Sequence, residues 1–88
     1  SIPASITETK AWVIQLASFS QKGNAERLAQ QLRGKGYTAY VKQSKTTKGA
    51  FLQRVFVGPD INYQHIQTVR KQLYTDFKLT GLILKYTY

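Results

Sequence analysis

The side chains that most often carry out enzyme chemistry are few and far apart in this chain. It has one histidine, His65, and four acidic residues, Glu8, Glu26, Asp60 and Asp76. One histidine with scattered acids cannot supply a catalytic triad or a preorganised set of metal ligands. A glycosidase needs two carboxylates that face each other across a cleft, whereas these acids fall in four separate segments. We therefore predict a protein that is not an enzyme and that uses no metal and no cofactor.

We therefore looked for a binding surface, and alternating residues of four apolar segments would form one. Alternation with a period of two places every second side chain on the same face of a sheet. One such set is Val13, Gln15, Ala17, Tyr40, Lys42, Leu52, Arg54, Phe56, Ile83 and Lys85. It mixes apolar, aromatic, amide and basic groups, whereas a face that meets only water is polar throughout. This composition favours a ligand platform over a face that the lysine-rich turn or the N-terminal segment merely covers.

Six segments must position these side chains, in the order strand, helix, strand, strand, helix, strand. The strand sequences are AWVIQLASF, TAYVKQ, FLQRVFV and LILKYTY, which are rich in β-branched and aromatic residues. This order is the split βαβ pattern of ferredoxin-like and RNP-like α+β folds. Right-handed crossovers place both helices on one face of a four-stranded antiparallel sheet whose central strands are the first and third. Residues 1–10 are predicted to be a linker end, and residues 11–88 the domain.

The helices follow from apolar residues at helical spacing. The two stripes are Ala25, Leu28, Ala29 and Leu32, then Ile66, Val69, Leu73 and Phe77. They are expected to cover the second alternating set of the sheet, which is Trp12, Ile14, Leu16, Ala39, Val41, Val55, Val57, Leu82 and Leu84.

Small polar residues are expected to begin both helices, because their side chains can accept a hydrogen bond from a free backbone N–H. Ser20 or Asn24 is the predicted cap of the first helix. Asp60 or Asn62 is the predicted cap of the second.

The charge of the chain points to an anionic partner. Thirteen Lys and Arg against four Asp and Glu give a formal net charge of +9. RNA-recognition modules have this strand order and bind RNA on the open sheet face. The third strand, FLQRVFVG, departs from their glycine–aromatic signature, and only Phe56 and Tyr40 could stack on bases. Sequence-specific nucleic acid is therefore not expected, and an RNA-binding module and a protein-interaction domain are the alternatives.

The chain has no Cys and no Met. The lack of Cys excludes disulfides and thiolate chemistry, and it suits a periplasmic or extracellular protein as well as a cytosolic one. No apolar run approaches the ~20 residues of a membrane span, so no direct membrane insertion is expected of this segment. Any anchor or export signal is expected upstream of Ser1.

Three stretches together resemble the SPOR domain, a family named for sporulation-related proteins. They are WVIQLASFS at 12–20, LRGKGYTAYV at 32–41 and RVFVGP at 54–59. The family pattern is roughly V-Q-x-G-S-F, then an alanine-rich helix into L-x-x-x-G-Y-x-A-x-V, then R-V-x-V-G-P. Each motif is weak alone, but all three occur here in the family's order and spacing.

The resemblance implies a non-catalytic, periplasmic peptidoglycan-binding module. Members of the family gather at division septa and bind glycan strands that amidases have stripped of stem peptides. Many are the C-terminal domain of an inner-membrane protein, which implies a parent protein anchored by an upstream helix and targeted to the septum. Other division proteins are possible partners, and a monomer is expected.

The family's site residues carry over by motif. Gln15, Ala17 and Ser18 match the Q-x-G-S stretch, and Arg54 matches the arginine of R-V-x-V-G-P. Ala17 stands where glycine is usual, which would narrow the approach of a sugar by one methyl group, and Asp60 stands where phenylalanine is usual. Alternation places Ser18 on the helix side, where a structural hydrogen bond is its expected role. The predicted binding residues are Gln15, Ala17, Ser18, Tyr40, Lys42, Arg54, Phe56 and Lys85.

Overall fold

The computed structural model of the protein describes residues 10–86. Its elements are β1 (Ala11–Phe19), α1 (Lys22–Gly34), β2 (Ala39–Lys45), β3 (Phe51–Asp60), α2 (Tyr63–Phe77) and β4 (Leu82–Tyr86). The predicted order of strands and helices is confirmed. The predicted linker end, residues 1–10, lies outside the described residues except for Lys10.

The four strands form one antiparallel sheet in the order β2-β3-β1-β4. β3 and β1 are central, as the sequence predicts. Residues of both helices share one apolar core with the same side of the sheet. The predicted α+β fold, with two helices on one face of a four-stranded sheet, is therefore confirmed, and we call the opposite side of the sheet the open face.

The core lies between the sheet and the two helices. Its largest fully buried side chains are Ile14, Leu32, Val55, Ile66 and Leu73. Full burial of an aliphatic side chain of this size contributes about 1.5–3 kcal/mol to folding. The buried helical residues fall at the positions of the two predicted stripes, so helical periodicity alone identified which faces of the helices pack inward.

The predicted capping residue is correct for one of the two helices. The N-cap of α1 is Gln21, whose side chain makes no capping hydrogen bond, so the prediction of Ser20 or Asn24 is wrong. Asn62 caps α2, since its Oδ1 accepts a 3.1 Å hydrogen bond from the backbone N–H of His65. Neither helix within residues 10–86 is long and apolar enough to cross a membrane.

A bulge interrupts β1 in the middle of the sheet. Gln15 pairs with Phe56, but Ala17 pairs with Val55, so two steps along β1 match one step along β3. An extra residue in one strand inverts the side-chain alternation beyond it. Because directly paired residues of antiparallel strands project to the same face, the last residues of β1 have the phase opposite to that of simple alternation.

The bulge overturns the predicted faces of two candidate binding residues. Ala17 pairs with Val55, which is fully buried in the core on the helix side, so Ala17 leaves the open face. Ser18 pairs with Arg54 and therefore joins that face. The methyl group of Ala17 consequently does not narrow the approach of a ligand there.

The last strand also has the phase opposite to the predicted one. Ile83 pairs with Ile14 and packs against the core instead of lying on the open face. Lys85 pairs with Trp12, which packs against the same core, so the placement of Lys85 on the open face is wrong. The sequence LILKY carries apolar residues in both phases, and its alternation therefore does not determine which side faces the helices.

Candidate functional site

Six of the eight predicted binding residues form one continuous patch on the open face. Across the two central strands, Gln15 pairs with Phe56 and Ser18 pairs with Arg54. The next strand adds two residues, because Tyr40 pairs with Phe56 and Lys42 pairs with Arg54. We call this set of six residues the sheet patch: Gln15, Ser18, Tyr40, Lys42, Arg54 and Phe56. Ala17 and Lys85 lie outside it.

The guanidinium of Arg54 is held in place by a residue that the sequence did not single out. Arg54 Nε donates a 2.8 Å hydrogen bond to Ser44 Oγ on β2. A guanidinium has five N–H donors, so the two terminal nitrogens and their four N–H groups stay available to a ligand. Ser44 follows Lys42 by two residues and so shares its face, which is the signal that would have identified it.

Gln15 and Ser18 form the polar centre of the sheet patch. Gln15 Nε2 donates a 3.2 Å hydrogen bond to Ser18 Oγ. The amide oxygen of Gln15 and the hydroxyl proton of Ser18 can then serve a ligand as acceptor and donor. Gln15 is half-buried and Ser18 is exposed, so the pair is ordered by the sheet yet accessible from solvent.

Two aromatic rings lie at one end of the sheet patch. Tyr40 and Phe56 stack with their ring centroids 5.4 Å apart and an interplanar angle of 22°. Burial raises the pKa of the Tyr40 hydroxyl, and the nearby Tyr86 hydroxyl raises it further. Tyr40 is therefore neutral throughout the physiological range, and its hydroxyl can donate a hydrogen bond beside an apolar surface.

The reversed phase of β4 extends the sheet patch with apolar surface. Leu82 pairs with Gln15, and Leu84 pairs with Val13. Leu82 is 59% exposed, which is high for a leucine on a sheet. Val13 and Gln15 were predicted to lie on the open face. Both leucines would have been predicted there too if the register between β1 and β4 had been known.

The sheet patch is cationic, and no carboxylate among residues 10–86 forms an ion pair with it. Lys42 and Arg54 are direct cross-strand partners, and like charges in that arrangement are destabilising. No lysine or arginine lies within ion-pair distance of a carboxylate in the range 10–86. An anionic group bound between these two side chains would relieve their repulsion.

Comparison with known proteins identifies the family. The model of the SPOR domain family matches residues 8–83. The chain belongs to the SPOR domain family. This SPOR domain is 30% identical over 78 residues to the cell division protein DedD of Escherichia coli strain K12. The match covers 89% of this chain and 35% of DedD, so the chain spans about a third of the length of that relative.

Two solved structures share the fold of this SPOR domain. One, described as Spor protein DedD, has a TM-score of 0.65 and 29% identity, over 89% of this chain and 40% of that chain. The other is the solution structure of the peptidoglycan binding domain of the B. subtilis cell wall lytic enzyme CwlC. It has a TM-score of 0.67 and 19% identity, over 89% of this chain and 91% of that chain. The SPOR fold predicted from the sequence motifs is thus confirmed.

One concavity of this SPOR domain lies away from the sheet patch, on the helix side. It is a cleft of about 740 Å³ between the loop before β2, the end of β3 and α2. Both carboxylates that line it already have partners, because Asp76 Oδ2 accepts a 2.7 Å hydrogen bond from the Tyr37 hydroxyl and Asp60 binds the ring of His65. In the described part of the chain no three His, Cys, Asp or Glu residues group as metal ligands would.

Proposed function

We propose that this SPOR domain binds glycan strands of peptidoglycan on its open face without acting on them chemically. The observation that carries this proposal is the fixed guanidinium of Arg54 beside the Gln15–Ser18 pair. The family and a structural neighbour described as a peptidoglycan binding domain support the same ligand class. The ligand is recognised by charge, hydrogen bonding and apolar contact, each supplied by a different part of the sheet patch.

We expect a preference for strands that lack stem peptides, because the charged contact requires a free carboxylate. Removal of the peptide from a muramic acid residue frees its lactyl carboxylate, so a denuded strand is a regular polyanion. The terminal nitrogens of Arg54, whose Nε is bound to Ser44, present parallel N–H groups that suit a bidentate carboxylate contact. Lys42, directly across from Arg54, adds a second cation. An intact stem peptide would replace this carboxylate by an amide and add bulk at the same position.

The neutral contacts suit the rest of a sugar. Gln15 and Ser18 can bond to hydroxyl and N-acetyl groups, because together they offer both donors and acceptors. Phe56, Tyr40 and Leu82 can cover the apolar C–H faces of the sugar rings, and this burial contributes about 25 cal/mol per Å² of apolar surface. Gln15 lies between Phe56 of the stacked rings on one side and Leu82 on the other.

The cellular role follows from where such a ligand accumulates. Denuded strands arise where amidases open septal peptidoglycan, so binding to them would target the parent protein to the division septum. The 30% identity with a protein named for cell division supports this role. We propose a periplasmic monomer, attached to an inner-membrane anchor upstream, with other division proteins as further partners.

The deciding experiment is co-sedimentation of the domain with purified sacculi, with and without prior amidase digestion, beside an RNA control. Stronger binding to digested sacculi is the expected result, because digestion exposes carboxylates that Arg54 can bind. Equal binding to both sacculi would remove the preference for denuded strands. Binding to neither would reject the glycan ligand, and retention on RNA or on a division protein would then identify an alternative partner.

A further inference from the structure

The hairpin of β2 and β3 carries a concentration of positive charge. Residues 27–59 contain no Asp or Glu but carry seven Lys and Arg. Four of these seven lie on the hairpin: Lys42, Lys45, Lys48 and Arg54. A block of like charge this long, on an ordered element, marks a surface that faces an anionic partner.

The tip of this hairpin is an ordered turn, not a loose loop. The backbone N–H of Thr46 donates a 2.7 Å hydrogen bond to the carbonyl of Ala50, and Gly49 N–H donates to the carbonyl of Thr46 at 3.0 Å. The Thr46 hydroxyl accepts a third hydrogen bond, of 3.1 Å, from the N–H of Ala50. These hydrogen bonds therefore order the backbone that carries the lysines at the tip.

An exposed aromatic ring lies among these lysines. Phe51 is 52% exposed, and Lys45 Nζ lies 5.8 Å from the centroid of its ring. The two residues are cross-strand partners in the phase of Gln53, which faces the helix side. Phe51 and Lys45 consequently point away from the sheet patch, and a glycan bound to the open face would not cover them.

We propose that this hairpin tip, formed by Lys45, Lys48 and Phe51, docks peripherally on the surface of an anionic phospholipid bilayer. Two features favour a bilayer. An aromatic ring prefers the headgroup region of a membrane, and lysines near an anionic surface are each attracted to lipid phosphates. Residues 47–51 of the tip are all exposed, so a flat surface can reach them. The docking is independent of the glycan site, because it uses the other side of the hairpin.

The test is sedimentation of the chain with large vesicles of phosphatidylcholine that contain either no phosphatidylglycerol or about 30% of it. The chain is expected to sediment with the anionic vesicles only. Lys45→Gln combined with Lys48→Gln should weaken this binding about 30-fold, since each lysine near such a surface contributes about fivefold. Phe51→Ser should weaken it about fivefold, because the ring then no longer enters the interface.

Matched variants test whether the hairpin tip itself is responsible. Arg70→Gln with Lys71→Gln removes the same charge from exposed positions of α2, and Ile61→Ser removes a side chain that is 66% exposed at another corner. Both controls should retain binding within about threefold. An equal loss in either control, or no binding of the unaltered chain to anionic vesicles, would overturn the proposal.

Two further arms separate this docking from the glycan site. The Lys45→Gln, Lys48→Gln variant should bind amidase-treated sacculi as the unaltered chain does. Parallel loss on vesicles and sacculi would place the tip within the glycan site and reject it as a separate membrane contact. Binding of the hairpin tip to RNA without binding to vesicles would also reject the proposed membrane contact. If the unaltered chain bound anionic vesicles but not sacculi, only the proposed glycan ligand would be rejected.

Discussion

Gln15 Nε2 donates a 3.2 Å hydrogen bond to Ser18 Oγ, although residues three apart on a regular strand project to opposite faces. The β1 bulge between Gln15 and Ala17 removes this conflict, because it turns Ser18 to the side of Gln15. The same shift sets Ser18 beside Arg54. One extra residue in one strand therefore assembles the polar centre of the sheet patch.

Arg54→Ala should weaken binding to amidase-treated sacculi about 10- to 100-fold, because it removes the charge-assisted contact with the lactyl carboxylate. Its melting temperature should stay close to that of the unaltered domain, since Arg54 is only half-buried and forms no ion pair within residues 10–86. Binding isotherms and thermal unfolding together check both statements.

Lys85→Ala is the matched control for that experiment. It removes one positive charge from the sheet, but Lys85 pairs with Trp12 in the helix-side phase. Binding to sacculi should fall less than about threefold, as expected for a distant, screened charge. If Lys85→Ala weakened binding as much as Arg54→Ala, net charge and not the sheet patch would be the determinant.

Ser44→Ala should weaken binding about three- to tenfold, because it removes the hydrogen bond that orients the charged guanidinium of Arg54. If Ser44 acts through Arg54, the loss should disappear when Arg54 is already alanine. A double-mutant cycle with Ser44→Ala, Arg54→Ala and the combined variant measures this coupling. Additive losses would show that Ser44 contacts the ligand by itself.

Gly81→Ala should destabilise the domain by about 1–3 kcal/mol, the usual result of overpacking a close-packed core. A Cβ at position 81 would lie 2.3 Å from Cγ2 of Ile14, which is fully buried. Gly34→Ala is the control, because its added Cβ would meet no atom within 4 Å apart from its chain neighbours and the backbone of its own helix. Alanine also favours the helix that Gly34 ends. Urea unfolding of both variants gives the comparison, and equal stabilities would contradict the packing at Ile14.

Asp60 should make stability depend on pH in the acid range. The hydrogen bond from His65 lowers the pKa of the Asp60 carboxyl below its ordinary 3.8, and the backbone N–H of Asn62 lowers it further, against a smaller opposing effect of burial. The resulting stability is present above the ordinary pKa and is lost as pH falls through the folded pKa. Since the His65 side chain is 62% exposed, the contribution should be about 1 kcal/mol or less.

Asp60→Asn tests this dependence. The variant should be less stable than the unaltered domain near neutral pH, and the difference should shrink as pH falls through the lowered pKa of the Asp60 carboxyl. Urea unfolding at a series of pH values measures it. A difference that stays constant throughout the acid range would show that protonation of Asp60 is not its cause.

Local pattern accounts for most of the fold. Helical spacing identified the buried faces of α1 and α2, including Leu32 and Leu73, because a helix repeats the same geometry at every turn. The period-two alternation of the strands likewise placed Ile14 and Val55 in the core, because every second side chain of a regular strand points to the same face. The three SPOR motifs, which fall on β1, on the end of α1 into β2, and on β3, identified the family that the comparison confirms.

The errors arose where a local pattern depends on a partner strand. Ala17 and Ser18 exchanged faces because the β1 bulge is visible only in the pairing with β3. Lys85 lies on the helix-side phase because the register of β4 is set by β1, while its own apolar residues occupy both phases. Ser44 was overlooked because its importance comes from a hydrogen bond to another strand.

The sequence by itself determined the order of the elements, the faces of the helices, the family and the positive charge, since these depend on residues close together in the chain. Tertiary structure decided which polar side chains meet. The pairing of β1 with β3 and β4 brought Ser18 to Arg54 and Leu82 to Gln15, and it removed Ala17 and Lys85. The physical reason is that a strand side chain has only two directions, so a shift of one residue reverses its face.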